Sequence, residues 1–207
     1  MKTFELFFTE QQSSMDQLAI SKGYTPGLYS GSLQFRGYIY RRAETNGVWA
    51  SDDIGIAKDY AVRSNNGGPT LKIALRLQNP LDLRPLGLQA TTEDARKFLT
   101  NRGVNLSDKF YEAFQSNMDY EEQDTWFTYS IIDGDDWKND RRKAIQAILD
   151  AGYNSLLLKD SSPTGKVGTS YVVFKSGDAK LMQHSLIDGE YIPSSLRFDP
   201  SNPDIRF

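Results

Sequence analysis

Cysteine is absent from this 207-residue chain, and histidine occurs once, at His184. The first absence excludes disulfides and thiolate metal sites, and the second excludes zinc clusters built on several histidines. No metal site is expected. No apolar run approaches the ~20 residues a helix needs to span a bilayer, so no membrane partner is expected either. The opening stretch, Met1-Lys-Thr-Phe-Glu-Leu-Phe-Phe8, is too short and charged too early for a secretory signal. The expected location is therefore cytoplasmic, in the producing cell or a host. An excess of positive charge is also missing: 24 basic residues face 27 acidic ones, for a net charge of −3. Nonspecific nucleic-acid binding needs a basic surface that displaces counterions, so charge does not indicate nucleic acid.

What remains is an ordinary globular composition. Hydrophobic residues make up 39% and charged residues 25%, enough for one sizeable core. No long linker interrupts the chain, which predicts a single domain over 1–207. The 12% of aromatic residues can fill that core and still line a cleft.

Periodicity and punctuation predict the elements. A helix is expected from Glu10 to Lys22, with Met15, Leu18 and Ala19 on its apolar face and Gly23 ending it. Pro26-Gly27 reads as a turn before a strand at Leu28 to Ser32, and Val48 to Ala50 as a short strand. Ser51-Asp52-Asp53 should start a helix to about Arg63 that buries Ile54, Ala57 and Ala61. Thr70 to Leu77 alternates as a strand with one wet face, followed by an extended stretch from Asn79 to Pro85. Thr91 with Asp94 resembles a capping box opening a helix to Asn101, and Ser107 caps a further helix to about Asn117. Asp136 to Ala151 is the strongest helix pattern, and strands follow at Ser155–Leu158 and Tyr171–Phe174 across a polar loop. The tail, 185–207, carries Pro193, Pro200 and Pro203 and reads as irregular. Early and late strands around a helical middle give an α+β class.

Three stretches carry a resemblance: Leu28-Tyr-Ser-Gly-Ser32, Val48-Trp-Ala-Ser-Asp52 with Ala57-Lys-Asp-Tyr-Ala61, and Ser170-Tyr-Val-Val-Phe174. Together with the closing Phe198-Asp-Pro-Ser-Asn-Pro-Asp-Ile-Arg-Phe207, they resemble ADP-ribosyltransferases of the kind found in polyvalent proteins of phages and mobile elements. The resemblance implies a split, bent β-sheet with flanking helices, a core over about 28–181 and a helical insertion over about 86–142. It implies NAD as substrate and mono-ADP-ribosylation of a host macromolecule by a phage or toxin factor. A catalytically silent binding module and an NAD glycohydrolase are the alternatives.

Such chemistry passes through an oxocarbenium-like state and needs a ring to stack on nicotinamide, polar groups for the ribose and a carboxylate near the cation. The resemblance assigns nucleotide contacts to Tyr29, Ser30, Gly31, Trp49, Ser51, Tyr60, Ser170 and Tyr171, with Tyr60 as the stacking ring. Arg36, or its neighbours Arg41 and Arg42, suits the pyrophosphate, because a guanidinium pairs with phosphate oxygens. Poly(ADP-ribose) polymerases place a glutamate directly before the tyrosine of the last motif, where this chain has Ser170. The candidate catalytic groups are Ser51 and a replacement carboxylate, either Asp178 or the Glu121–Glu122 pair. Asp133-Gly-Asp-Asp136 lacks the spacing of a calcium loop, His184 reads as a surface residue, and Glu190-Tyr-Ile192 lies beyond the last expected strand.

Overall fold

A computed structural model describes residues 15–31, 47–63, 70–86, 91–108, 110–111, 138–161, 165–182, 185–187, 190–192, 198–202 and 204. Seven strands form one sheet: β1 (Thr25–Ser30), β2 (Val48–Ser51), β3 (Leu71–Leu75), β4 (Pro80–Asp82), β5 (Ser155–Ser161), β6 (Val167–Val173) and β7 (Ala179–Leu181). Their order across the sheet is β4-β5-β6-β2-β1-β3-β7. Only β4 and β5 run parallel; every other neighbour is antiparallel. Among the described residues, helices α1 (15–21), α2 (Ile54–Arg63), α3 (Thr92–Thr100) and α4 (Lys138–Asp150) accompany them, and Asp108, Phe110 and Tyr111 are also helical. The class is α+β, as expected. No described helix is long and apolar enough to cross a membrane.

The joint between β2 and β1 organises the sheet. These strands are antiparallel with Tyr29 opposite Ser51 as their single register pair. Both residues sit near the C-terminal ends of their strands, so the strands overlap there and run off in opposite directions. The result is two half-sheets, β4-β5-β6-β2 and β1-β3-β7, sharing a narrow seam.

One core lies where α3 and α4 cover β4, β5 and β6. Leu99 of α3, Ile148 of α4, and Leu81, Leu156, Leu158 and Val172 of the strands are fully buried there. The capping box of α3 forms as expected: Thr91 accepts from the Asp94 amide while Asp94 accepts from the Thr91 amide. A second cluster, including Leu28, Val48, Leu71, Ile73 and Leu181, brings residues of both half-sheets together.

Several expectations need correction. The Pro26-Gly27 pair lies inside β1, where the register shifts between Thr25 and Leu28; it is a bulge in a strand that begins earlier than expected. β3 has no wet face, since Leu71, Ile73, Ala74 and Leu75 are all buried. In α2, Ile56 takes the buried place expected of Ile54, which is 42% exposed. The strands β5 and β6 reach further toward each other than the apolar runs suggested, pairing out to Ser161 opposite Val167. Within the tail, β8 (Ser185–Ile187) and β9 (Glu190–Ile192) form a two-stranded hairpin, so Glu190-Tyr-Ile192 is a strand.

The last described tail residues are strapped to the far end of the β1-β3-β7 half. Phe198 is 1% exposed, and its ring centroid lies 5.4 Å from that of Tyr24. Tyr24 Oη donates to the Gly177 carbonyl at 2.8 Å. Any side chain at Gly177 would strike the Pro200 carbonyl. Lys180, fully buried, donates from Nζ to the carbonyls of Asn202 (2.8 Å) and Asp204 (3.2 Å).

Burial brings the Lys180 ammonium down to about 8 from its ordinary 10.5. The unfolded chain therefore holds this proton more tightly, and the cost of burying the charge is complete below pH 8 and fades as pH rises toward 10.5. Thermal midpoints measured between pH 8 and 10 should rise for the wild type relative to Lys180→Met. Parallel profiles for the two proteins would refute the buried ammonium.

Candidate functional site

The seam gathers polar side chains from four elements. Tyr29 of β1 stands opposite Ser51 of β2, which stands opposite Ser170 of β6. Cross-strand partners share a face of the sheet, so these three form a row. Ser170 in turn faces Leu158 of β5, and Asp160, two residues on, projects from the same face.

Helix α2 closes over this row. A side chain at Gly31 would collide with the Ala57 carbonyl and lie 2.9 Å from the Ala61 amide, so only glycine lets β1 and α2 approach this closely. Likewise a Cβ on Gly168 would lie 2.7 Å from Ile56 Cδ1. The start of α2 is stitched by two side chains. Ser51 Oγ accepts from the Asp53 amide at 3.1 Å, and Asp53 Oδ1 accepts from the Gly55 amide at 2.6 Å. Asp53 is therefore the residue that caps the helix. Ser51 Oγ also donates to the Thr169 carbonyl at 3.1 Å. Its proton and one lone pair are thus committed, leaving one lone pair to accept from a ligand.

One turn before the end of α2, Tyr60 reaches down to the sheet. Its Oη donates to Asp160 Oδ1 at 3.0 Å, while Ser170 Oγ donates to Asp160 Oδ2 at 2.5 Å. Asp160 and Ser170 are each only 3% exposed. A buried carboxylate is tolerated where hydroxyls solvate its oxygens, and here they come from a helix and a neighbouring strand.

The structure divides the expected site residues. Tyr29, Ser51, Tyr60 and Ser170 come together. Trp49 shares their face but packs into the core with α4 as the partner of Val172. Tyr171 points the other way from Ser170, its hydroxyl 3.5 Å from Asp52 Oδ2 and its ring against the second cluster. Ser30, neighbour of Tyr29, also faces away from the row. It is 1% exposed, and its Oγ has no hydrogen-bond partner. A buried hydroxyl without a partner costs about 1–3 kcal/mol.

Asp178 does not join the row. It precedes Ala179, which pairs with Leu75, whereas Ser30 pairs with Leu71. Those positions are four residues apart on β3, roughly 13 Å. Asp178 instead lies beside Arg76, with Nη1 at 3.9 Å, and burial pushes its carboxyl above the ordinary range. The correction has a simple cause: strand direction carries the chain after Phe174 away from the seam. Arg36, Arg41, Arg42, Glu121 and Glu122 lie outside the described residues.

The carboxylate that does reach the row, Asp160, was missed. Leu156, Leu158 and Asp160 continue one alternation, and following it two residues further would have placed Asp160 on the buried face. The polar run Lys159-Asp-Ser-Ser162 masked that signal.

Comparison with protein-family models, with curated proteins and with solved structures returned no match.

Two variants separate structural from site roles. Gly31→Ala should destabilise the fold by about 1–3 kcal/mol in chemical denaturation, because β1 must move off α2; unchanged stability would mean the contact is soft. Asp178→Asn should behave differently. A raised carboxyl favours the fold when protonated, so stability falls as pH rises from 3.8 through the folded value. The asparagine should be the more stable protein at pH 7 and lose that advantage in acid, as read from melting midpoints at both pH values.

Proposed function

We propose that this chain takes NAD at the seam of its two half-sheets and transfers the ADP-ribose to an acceptor macromolecule. The observation that carries this reading is the convergence at the seam of three stretches far apart in sequence: Tyr29 to Gly31, Ser51 to Tyr60, and Ser170. These are the stretches on which the resemblance to ADP-ribosyltransferases rests. The host acceptor and the phage or toxin setting rest on that resemblance alone.

In this reading each group has a definite capacity. Tyr60, half-buried, supplies a ring for nicotinamide, oriented by its bond to Asp160. Ser51 accepts from a ribose hydroxyl through its remaining lone pair. Breaking the bond from nicotinamide to ribose sends the electron pair to nicotinamide and leaves positive charge on the sugar. A nearby buried carboxylate stabilises that charge more in the transition state than in the bound substrate. Asp160 places a carboxyl group beside Ser170, where the polymerases carry glutamate.

A second reading is a module that holds NAD or an ADP-ribose derivative without turnover. Both oxygens of Asp160 already accept hydroxyl protons, and Asp178 is at the far end of the half-sheet. An NAD glycohydrolase differs from the transferase only in using water as acceptor.

Incubation of the pure protein with NAD, with and without cell extract, separates these outcomes. Nicotinamide release that depends on extract is expected for the transferase, release without extract for the hydrolase, and binding without release for the silent module. Tyr60→Ala should weaken NAD binding by about 1 kcal/mol or somewhat more through loss of the ring. Calorimetry showing no NAD binding by the wild type would sink all three.

A further inference from the structure

The surface that receives the tail is held together without it. Tyr24, just before β1, fixes the Gly177 carbonyl with its hydroxyl at 2.8 Å. The turn carrying Gly177 is closed by its own bonds: the Asp178 amide donates to the Lys175 carbonyl, and the Arg76 amide donates to the Asp178 carbonyl at 2.8 Å. Lys180 follows on β7, opposite Ala74 of β3. None of these bonds uses a tail atom. What the surface offers is fitted to a peptide. Phe198 packs in one cluster with Ala19, Tyr24, Ala74 and Met182. The atoms nearest to a Cβ at Gly177 are Pro200 and Asn202 backbone. Lys180 Nζ donates to two tail carbonyls.

The tail carries its own shape. Asp199 Oδ1 accepts from the Ser201 amide at 2.9 Å and from its hydroxyl at 2.7 Å, and Asn202 Oδ1 accepts from the Asp204 amide at 3.0 Å. The Pro200 ring fixes its own φ. Local turns of this kind lower the freedom a segment loses on docking. Phe198 takes a left-handed backbone, φ 49°, a strain that burial of its ring offsets. Asp199 and Asp204 bring negative charge toward the Lys180 ammonium.

We propose that this end of the β1-β3-β7 half is a peptide-docking site, that its ligand is the chain's own Phe-Asp-Pro tail, and that the tail binds there without needing its covalent link. The link then serves only to raise the local concentration of the tail. The site is separate from the seam and does not depend on the NAD reading.

The test cuts the full chain. A site for a sequence-specific protease is inserted between Ser194 and Ser195, and the folded protein is cleaved. On a sizing column the released tail should co-elute with the body. A labelled peptide of residues 198–207, added in excess, should exchange into the body peak. Changes made in the peptide leave the folding of the body untouched. Phe198→Ala should compete about 100-fold less well, or worse, because it empties the anchor position. Asp199→Ala should compete about 2- to 10-fold less well, through loss of the turn bonds. Gly177→Ala in the body should weaken exchange of the native peptide. A cut tail that elutes apart from the body, a free peptide that does not exchange, or a Phe198→Ala peptide that competes as well as the native one overturns the proposal.

Discussion

The seam between β1 and β2 is the constraint on which the rest of the molecule depends. Among the described residues, two half-sheets meet through one registered pair, Tyr29 opposite Ser51. A joint that narrow cannot hold two halves by backbone bonds alone. Helix α2 provides the second connection: it starts on the end of β2, lies against Gly31 at the end of β1, and reaches β5 through Tyr60 and Asp160. The second apolar cluster, with Leu28 and Ile73 from one half and Val48 and Val173 from the other, provides a third.

The same geometry explains why polar groups collect here. Where strands diverge, apolar side chains no longer meet across a full ladder, and hydroxyls with one carboxylate fill the space. Asp160 is stable in this position because Tyr60 and Ser170 solvate its oxygens. Ser30 is the exception, a buried hydroxyl with no partner. It lies on the face of β1 opposite Tyr29, paired with Leu71 and away from the polar row.

The opposite end of the β1-β3-β7 half has a different logic. There the chain's own tail does the covering: Phe198 seals Tyr24, and backbone carbonyls of Asn202 and Asp204 solvate the Lys180 ammonium. An ammonium and a carboxyl, Lys180 and Asp178, are both buried within this packing, and burial shifts each toward its neutral form. That end of the half-sheet is closed by structure, whereas at the seam Ser51 retains one uncommitted lone pair.

Much of this was legible in the amino-acid order. The α+β class, the capping box at Thr91 and Asp94, the helix before Gly152 and the paired strands after it follow from local periodicity and capping chemistry, which act over a few residues. The resemblance brought forward Tyr29, Ser51, Tyr60 and Ser170, which do meet. Local alternation separates neighbouring side chains onto opposite faces, but it could not decide which of the two faces carries the polar row, or which end of a strand lies at the seam. Register sets both, and register depends on partners more than a hundred residues away. So Ser170, and not its neighbour Tyr171, joins the row; Asp178, placed by its distance from Phe174, falls at the wrong end; and Asp160, hidden in a polar run, becomes the carboxylate at the centre. The sequence by itself determined the elements and their chemistry, because those are local. Only the tertiary structure decided which of them meet, because a strand's alternation has meaning only once its neighbour fixes the register.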